Sequence, residues 1–208
     1  MNLGSGGSTY NGITSGSPAT SSVDKMVGTG AIGFSATSSQ YVHIPTFTTD
    51  ITGLSFAFWF KFTGGIANHP IFGFASSSGS ADVISFSLDS NAVYANVNMC
   101  QGTTVCTAQG PLFGMNVNDG VWRHVAWTID TLGNWLLYLN GELHGTYRGL
   151  MYPTVVSRSV SYLGRYSAYY LNGAIDEFYL YQYAISASQV MGLYQQGMLQ
   201  RSIAVLRS

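Results

Sequence analysis

Residues 53–62, Gly-Leu-Ser-Phe-Ala-Phe-Trp-Phe-Lys-Phe, constrain the fold most. Leu54, Phe56, Phe58, Phe60 and Phe62 alternate with Ser55, Ala57, Trp59 and Lys61. Successive side chains of an extended strand project to opposite faces, so one side of this segment is an unbroken apolar ladder that must be covered. Shorter β-type runs lie upstream at 31–34 and 40–45. Others follow at 71–75, 83–88, 92–99, 122–129, 135–139, 160–163 and 174–181. Turn formers separate them, among them Asn118-Asp119-Gly120, Leu132-Gly133-Asn134 and Asn140-Gly141. Asn140-Gly141 stands between Leu137-Tyr138-Leu139 and Glu142-Leu143-His144, which predicts a type I′ hairpin because both central residues accept positive φ. Many short strands with no helix between them predict an all-β chain built as a two-sheet antiparallel sandwich.

A single domain accounts for the length. Residues 1–22 are rich in Gly, Ser and Thr and read as a linker or irregular N-terminal segment. Residues 23–197 read as the sandwich and 198–208 as a C-terminal tail. One short helix is predicted near the end. Ser186-Ala187-Ser188-Gln189 has the capping-box pattern, Val190, Leu193 and Tyr194 form an apolar face, and Gly197 is a natural stop.

Composition narrows the function classes. Asp, Glu, Lys and Arg make up 8% of the chain, against roughly 25% in an ordinary soluble domain. Net charge is −1 with no basic run, so no nucleic-acid partner is expected, since phosphate binding needs clustered Lys and Arg. The longest apolar stretches fall far short of the ~20 residues that span a bilayer, so no membrane insertion is expected. The N-terminus has neither the basic start nor the apolar core of a signal peptide. A low-charge surface rich in hydroxyls and Tyr suits a module that meets neutral glycans, or a subunit covered by neighbours in an assembly. Cys100 and Cys106 are the only cysteines and flank five residues. At the tip of a hairpin their sulfurs could bond; two free thiols are the alternative. Two Cys without a nearby His do not make a zinc site.

Three segments then stand out in order: 119–130 (DGVWRHVAWTID), 136–142 (LLYLNGE) and 171–181 (LNGAIDEFYLY), the last running into Ala184-Ile185-Ser186 and Leu193-Tyr194. With Gly33-Phe34, 41–45 and 55–61 upstream, they resemble the laminin-G-like domains of the concanavalin A-like lectin/glucanase superfamily. The resemblance covers roughly residues 30–195. It implies a jelly-roll sandwich that binds glycans, proteins or lipids, mostly outside cells, in adhesins, coat proteins and modules appended to enzymes. It also implies a calcium ion near one rim. The family's usual acids fall in the stretch that here reads 34–42, FSATSSQYV, where neither acid is present. Asp176 matches the second landmark acid and is left as the metal candidate, Ca2+ being the cofactor in question. The alternative is that Asp176 braces a neighbouring loop.

Catalysis finds little support. Glucanases of this fold use acids spaced along one strand, so that period-2 geometry aims two carboxylates at one face. None of the nine acids here are spaced i, i+2, and adjacent Asp176 and Glu177 are expected to face opposite ways in a strand. No Gly-x-Ser-x-Gly elbow occurs. The expectation is therefore a non-enzyme, with no catalytic residues. Trp122, Val125 and Trp127 are expected in the core, and His124 as a hydrogen-bonded strand residue. For recognition, the polar aromatic stretch containing Arg165, Tyr166, Tyr169, Tyr170 and Asn172 is the first candidate, because Tyr offers both a stacking face and a polar tip. Tyr147, Arg148 and Tyr152 form a second cluster. The leading expectation is an extracellular or surface-exposed recognition module (secreted, cell-surface or virion), with a glycan or protein ligand bound through rim loops. The alternative is a structural subunit of a coat or appendage that self-associates or joins a larger assembly.

Overall fold

The computed structural model describes residues 11–50, 52–64, 68–76, 81–89, 95–109 and 117–205. In chain order the strands are β1 (Ile13–Ser15), β2 (Ala19–Ser21), β3 (Ala31–Phe34), β4 (Tyr41–His43), β5 (Phe47–Thr48), β6 (Leu54–Phe62), β7 (His69–Ala75), β8 (Ile84–Leu88), β9 (Ala95–Gln101) and β10 (Val105–Gln109). They continue as β11 (Arg123–Ile129), β12 (Trp135–Leu139), β13 (Glu142–Tyr147), β14 (Ser157–Arg158), β15 (Val160–Leu163), β16 (Arg165–Tyr166), β17 (Tyr169–Tyr170) and β18 (Gly173–Tyr181). One helix, α1 (Ala187–Val205), follows. Sheet one has the order β1-β4-β15-β7-β8-β9-β10 and sheet two β13-β12-β11-β6-β18-β3-β2. The sequence-adjacent runs 31–34 and 41–43 thus go to different sheets, linked by a 3-10 turn at Ala36–Ser38. The strand expected from residue 92 is seen from Ala95; 90–94 lie outside the described residues.

The Phe ladder of β6 faces the other sheet as its alternation requires. Phe56 meets Phe72 at 4.7 Å between ring centres, and Phe58 meets Phe86 edge-on at 5.3 Å. Val125, Trp127, Ile129, Trp135, Leu137 and Ile175 complete sheet two's side, and Ile84, Val97, Met99 and Leu163 sheet one's. Trp122 departs from expectation. It sits in a separate cluster with Met26, Val27, Ala31 and Trp59, outside the inter-sheet core, and its indole Nε1 donates to Asp24 Oδ1 at 2.8 Å. The register explains this, since Trp122 precedes Arg123 and belongs to the outward-facing set with His124 and Ala126.

The N-terminal expectation also changes. Residues 1–10 lie outside the described residues, but within the stretch read as irregular, β1 pairs with β4 and β2 with β3. Hydroxyl-rich chain is able to form strands when an open edge supplies the backbone partners. Asn140 and Gly141 both have positive φ, 52° and 85°, in the β12–β13 connection, as the hairpin reading requires.

The helix is longer than expected. Ser186 N donates to Gln189 Oε1 and Gln189 N to Ser186 Oγ, which closes the capping box. Gly197 does not stop the helix, which runs on to Val205 through most of the stretch read as a tail. A Cβ on Gly197 would lie 2.5 Å from the Trp59 ring, so this glycine allows close approach instead. Tyr194 stacks on the same indole at 5.6 Å, while Val190 and Leu193 cover Ala57, Ala126 and Tyr138. The helix therefore shields the outer face of sheet two, and among the described residues no helix lies on the outer face of sheet one.

Candidate binding face

Alternation fixes what that open face presents. In β4, Val42 points into the core, so Tyr41 and His43 point out. In β15 the buried Leu163 leaves Tyr162 outward, and in β9 the buried Val97 and Met99 leave Asn96 and Asn98 outward. The strand register lines these up. His43 is opposite Tyr162, Tyr162 opposite Gly73, Gly73 opposite Ser85, and Ser85 opposite Asn98. One cross-strand row thus passes from aromatic to small to amide side chains, with Ser87 and Asn96 beside it.

The β16–β17 hairpin folds over this row. Arg165 pairs with Tyr170 and Tyr166 with Tyr169 around a turn in which Ser167 takes φ 54°. The Tyr166 ring lies directly on Gly73, where any Cβ would fall 2.5 Å from it, and it packs beside Cys100. Burial raises its phenol pKa above the usual value. Tyr166 is thus partly a packing residue, whereas Tyr169 is 45% exposed. The Arg165 guanidinium carbon lies 4.8 Å from the ring centres of Tyr41 and Tyr162 and 5.5 Å from that of Tyr170. Its Nε donates to Ser167 O at 3.3 Å. Tyr41 and Tyr162 meet edge-on at 5.1 Å, and His43 lies 5.5 Å from Tyr162.

Four of the five residues expected to bind ligand therefore gather on one face, and the fifth does not. Asn172 turns away. Its Nδ2 donates to Gly64 O at 2.9 Å and its carbonyl accepts from Thr63 N at 3.1 Å, so it braces the turn after β6. In the second cluster Tyr147 and Tyr152 both pack against the inter-sheet core, and Gly53 N donates to Tyr152 Oη, which itself donates to Asp50 O. Tyr41, His43, Tyr162, Ser87, Asn96 and Asn98 were not singled out in advance. Their outward direction was legible from alternation, but their adjacency was not, because strand order is set by long-range pairing. Cys100 and Cys106 stand opposite each other in β9 and β10 and are joined as a disulfide on this face.

Asp176 is buried on the outer side of sheet two. Its Oδ2 accepts from Met26 N at 2.7 Å and Val27 N at 3.0 Å. Desolvation raises its pKa above the usual carboxylate value, although the Val27 and Met26 amides and Lys25 pull the other way. Glu177 does not face away from it. A bulge between Asp176 and Tyr179 sets Glu177 at φ 50°, and its carboxylate accepts from the Tyr179 hydroxyl. The bulge keeps Phe178 and Leu180 pointing inward, so both acids end on the outer side. Neither lines an open groove as a catalytic pair would. The surroundings of Asp176 fit a brace for residues 26–27 and not a calcium shell, which needs six to eight oxygens. Among the described residues no three His, Cys, Asp or Glu gather as they would around a metal ion. A pocket of about 190 Å³ opens near the Asp24–Lys61 ion pair, lined by small residues such as Gly33 and Gly173.

Residues 36–191 match the family model Laminin_G_3, described as the concanavalin A-like lectin/glucanases superfamily. The chain belongs to this family. No curated protein matches the sequence of this laminin-G-like domain. Among solved structures it is similar to a heptameric SAP-like pentraxin from Limulus polyphemus, at 16% identity and a TM-score of 0.55 over 73% of this chain and 72% of that one. It is also similar to the binding domain of botulinum neurotoxin serotype G, at 15% identity and a TM-score of 0.65 over 91% of this chain and 47% of that one. The binding domain of Paraclostridial Mosquitocidal Protein 1 matches at 14% identity and a TM-score of 0.65, over 90% and 48%. The laminin-G-like domain spans about half the length of these toxin binding domains. At such identities the likeness establishes the sandwich fold. Among the described residues no helix is long and apolar enough to cross a membrane.

Proposed function

We propose that this domain is a non-catalytic recognition module that binds a glycan on the outer face of sheet one. One observation carries the reading. Tyr41, Tyr162, Tyr169 and Tyr170 stand together on a face that continues into Ser87, Asn96 and Asn98. Sugars are held by aromatic stacking together with amide and hydroxyl hydrogen bonds, and this face offers both on a sheet that needs no rearrangement. Solved structures of the same fold that carry binding functions support it. Among them are the binding domain of botulinum neurotoxin DC in complex with SialylT, and botulinum neurotoxin type C, whose cell entry depends on interaction with two ganglioside molecules. The placement of Asp176 as a backbone brace and of Glu177 against the Tyr179 hydroxyl supports a binding role over hydrolysis. The disulfide supports an extracellular or surface setting, where thiols oxidise.

A glycan array with the whole chain tests this. At least one glycan class is expected to bind, and Tyr162→Ala should weaken that binding tenfold or more, equivalent to about 1.4 kcal/mol. The variant should keep its melting midpoint within a few degrees, because Tyr162 lies outside the core. No binding to any glycan, or binding indifferent to Tyr162, refutes the reading.

One observation favours assembly as a second reading. Three of the four edge strands of the two large sheets, β1, β2 and β10, carry no charged residue, β13 carrying Glu142, and charges are a usual guard against edge-to-edge pairing. Growth of apparent mass with concentration, together with silence on the array, would favour this reading.

A further inference from the structure

We infer that Arg165 makes the tyrosine face selective for acidic glycans, through a fork that grips a carboxylate or sulfate borne by the sugar. The inference rests on the glycan reading above. Its basis is the way Arg165 is held. Tyr41, Tyr162 and Tyr170 surround the guanidinium, and Nε is engaged by the Ser167 carbonyl. That fixes the side chain and leaves the edge formed by Nη1 and Nη2. A planar guanidinium edge matches the two oxygens of a carboxylate or sulfate, giving two parallel charge-assisted hydrogen bonds. Pre-ordering by the rings removes much of the entropy that a free arginine would lose on binding.

The charge around it is one-sided. Neither the seven strands of sheet one nor the two of the β16–β17 hairpin contain an Asp, Glu or Lys, and Arg165 is the only arginine among them. The ion pairs among the described residues, Lys61–Asp24 and Arg123–Asp119, do not involve Arg165. In a chain with 8% charged residues, a cation on this face that makes no ion pair among the described residues is a local exception. One cation amid hydroxyls, amides and phenols fits one acid group on an otherwise neutral sugar. It does not fit a run of acidic side chains, which would call for several cations.

The experiment compares matched probes that differ only in the acid: 3′-sialyllactose against lactose, a glucuronic-acid oligosaccharide against its carboxyl-reduced form, and a 6-sulfated lactosamine against lactosamine. At least one acidic member should bind tenfold or more tightly than its neutral partner, and the winning pair identifies the source of the acid. Arg165→Gln should bring that member down to the level of its partner, Arg165→Lys should retain part of the preference, and added salt should erode it. Equal binding of acidic and neutral members overturns the inference and leaves the glycan reading standing, whereas silence of every probe removes both. A preference that survives in Arg165→Gln also overturns it, as does equally tight binding of a polyglutamate peptide. Should Arg165→Gln fail to fold, the matched probes on the unaltered chain still decide.

Discussion

At the scale of the residue, two buried polar groups show how context assigns roles. Asp176 accepts two backbone N–H groups from the segment before β3. Asp176→Ala strands both donors in a buried site, and at about 1–3 kcal/mol for each the loss should be about 2–6 kcal/mol. Asp176→Asn keeps an acceptor and should lose clearly less. Urea melts of the two variants check this, and equal loss would contradict the brace. His124 lies under α1 against Trp59 and Tyr194; its backbone is hydrogen-bonded in β11, with N donating to Asn140 Oδ1 at 3.0 Å and O accepting from Asn140 N at 2.8 Å, while its ring Nδ1 has no hydrogen-bond partner among the described residues. Burial lowers its pKa from 6.5 to about 4. The unfolded chain then binds the proton more readily than the folded one, so stability is full above pH 6.5 and falls as pH drops toward 4. The shift amounts to about 3 kcal/mol. His124→Phe should flatten this part of the stability–pH curve. Asp119 adds a second loss at lower pH. The Arg123 guanidinium, first among its causes, holds its pKa down to about 2, so its contribution is present above pH 4 and fades between 4 and 2.

At the scale of the element, α1 turns a local stop signal into a contact. An isolated helix would gain about 1 kcal/mol from Gly197→Ala. Here the added Cβ meets the Trp59 indole at 2.5 Å, so the helix must lift or the ring must turn. A net loss of about 1–3 kcal/mol is expected, with a change in Trp fluorescence. A gain in stability would mean that the helix is not seated on Trp59. The β16–β17 hairpin is the counterpart on the other sheet. Its four residues read as a loop because two-residue strands leave no alternation to detect. They are ordered by contact with β7, where Gly73 makes room for Tyr166.

At the scale of the whole molecule, one inter-sheet core joins both sheets. A second apolar layer lies between sheet two and α1. The helix layer shares Trp59 and Ala57 with β6, whose opposite face is the Phe ladder, so the two layers should unfold together. Far-ultraviolet circular dichroism and Trp fluorescence in urea should trace one coincident transition. A helix signal that melts first would separate α1 from the sandwich. The two outer faces then divide the work. One is covered by the helix and the other displays Tyr, Asn and Arg165.

The sequence by itself determined the sandwich, most strand positions, the Asn140-Gly141 hairpin and the start of the helix. Those features are local, since period-2 alternation, turn chemistry and a capping box are properties of neighbouring residues. Only the tertiary structure decided the rest. It set Tyr41 and Tyr162 around Arg165, moved Asn172 to a turn, carried the helix past Gly197, and used a bulge to bring Glu177 to the side of Asp176. Each outcome depends on which strand lies beside which, or on what a side chain meets after the chain has closed on itself. Pairing across a hundred residues leaves no periodic trace in the sequence that encodes it.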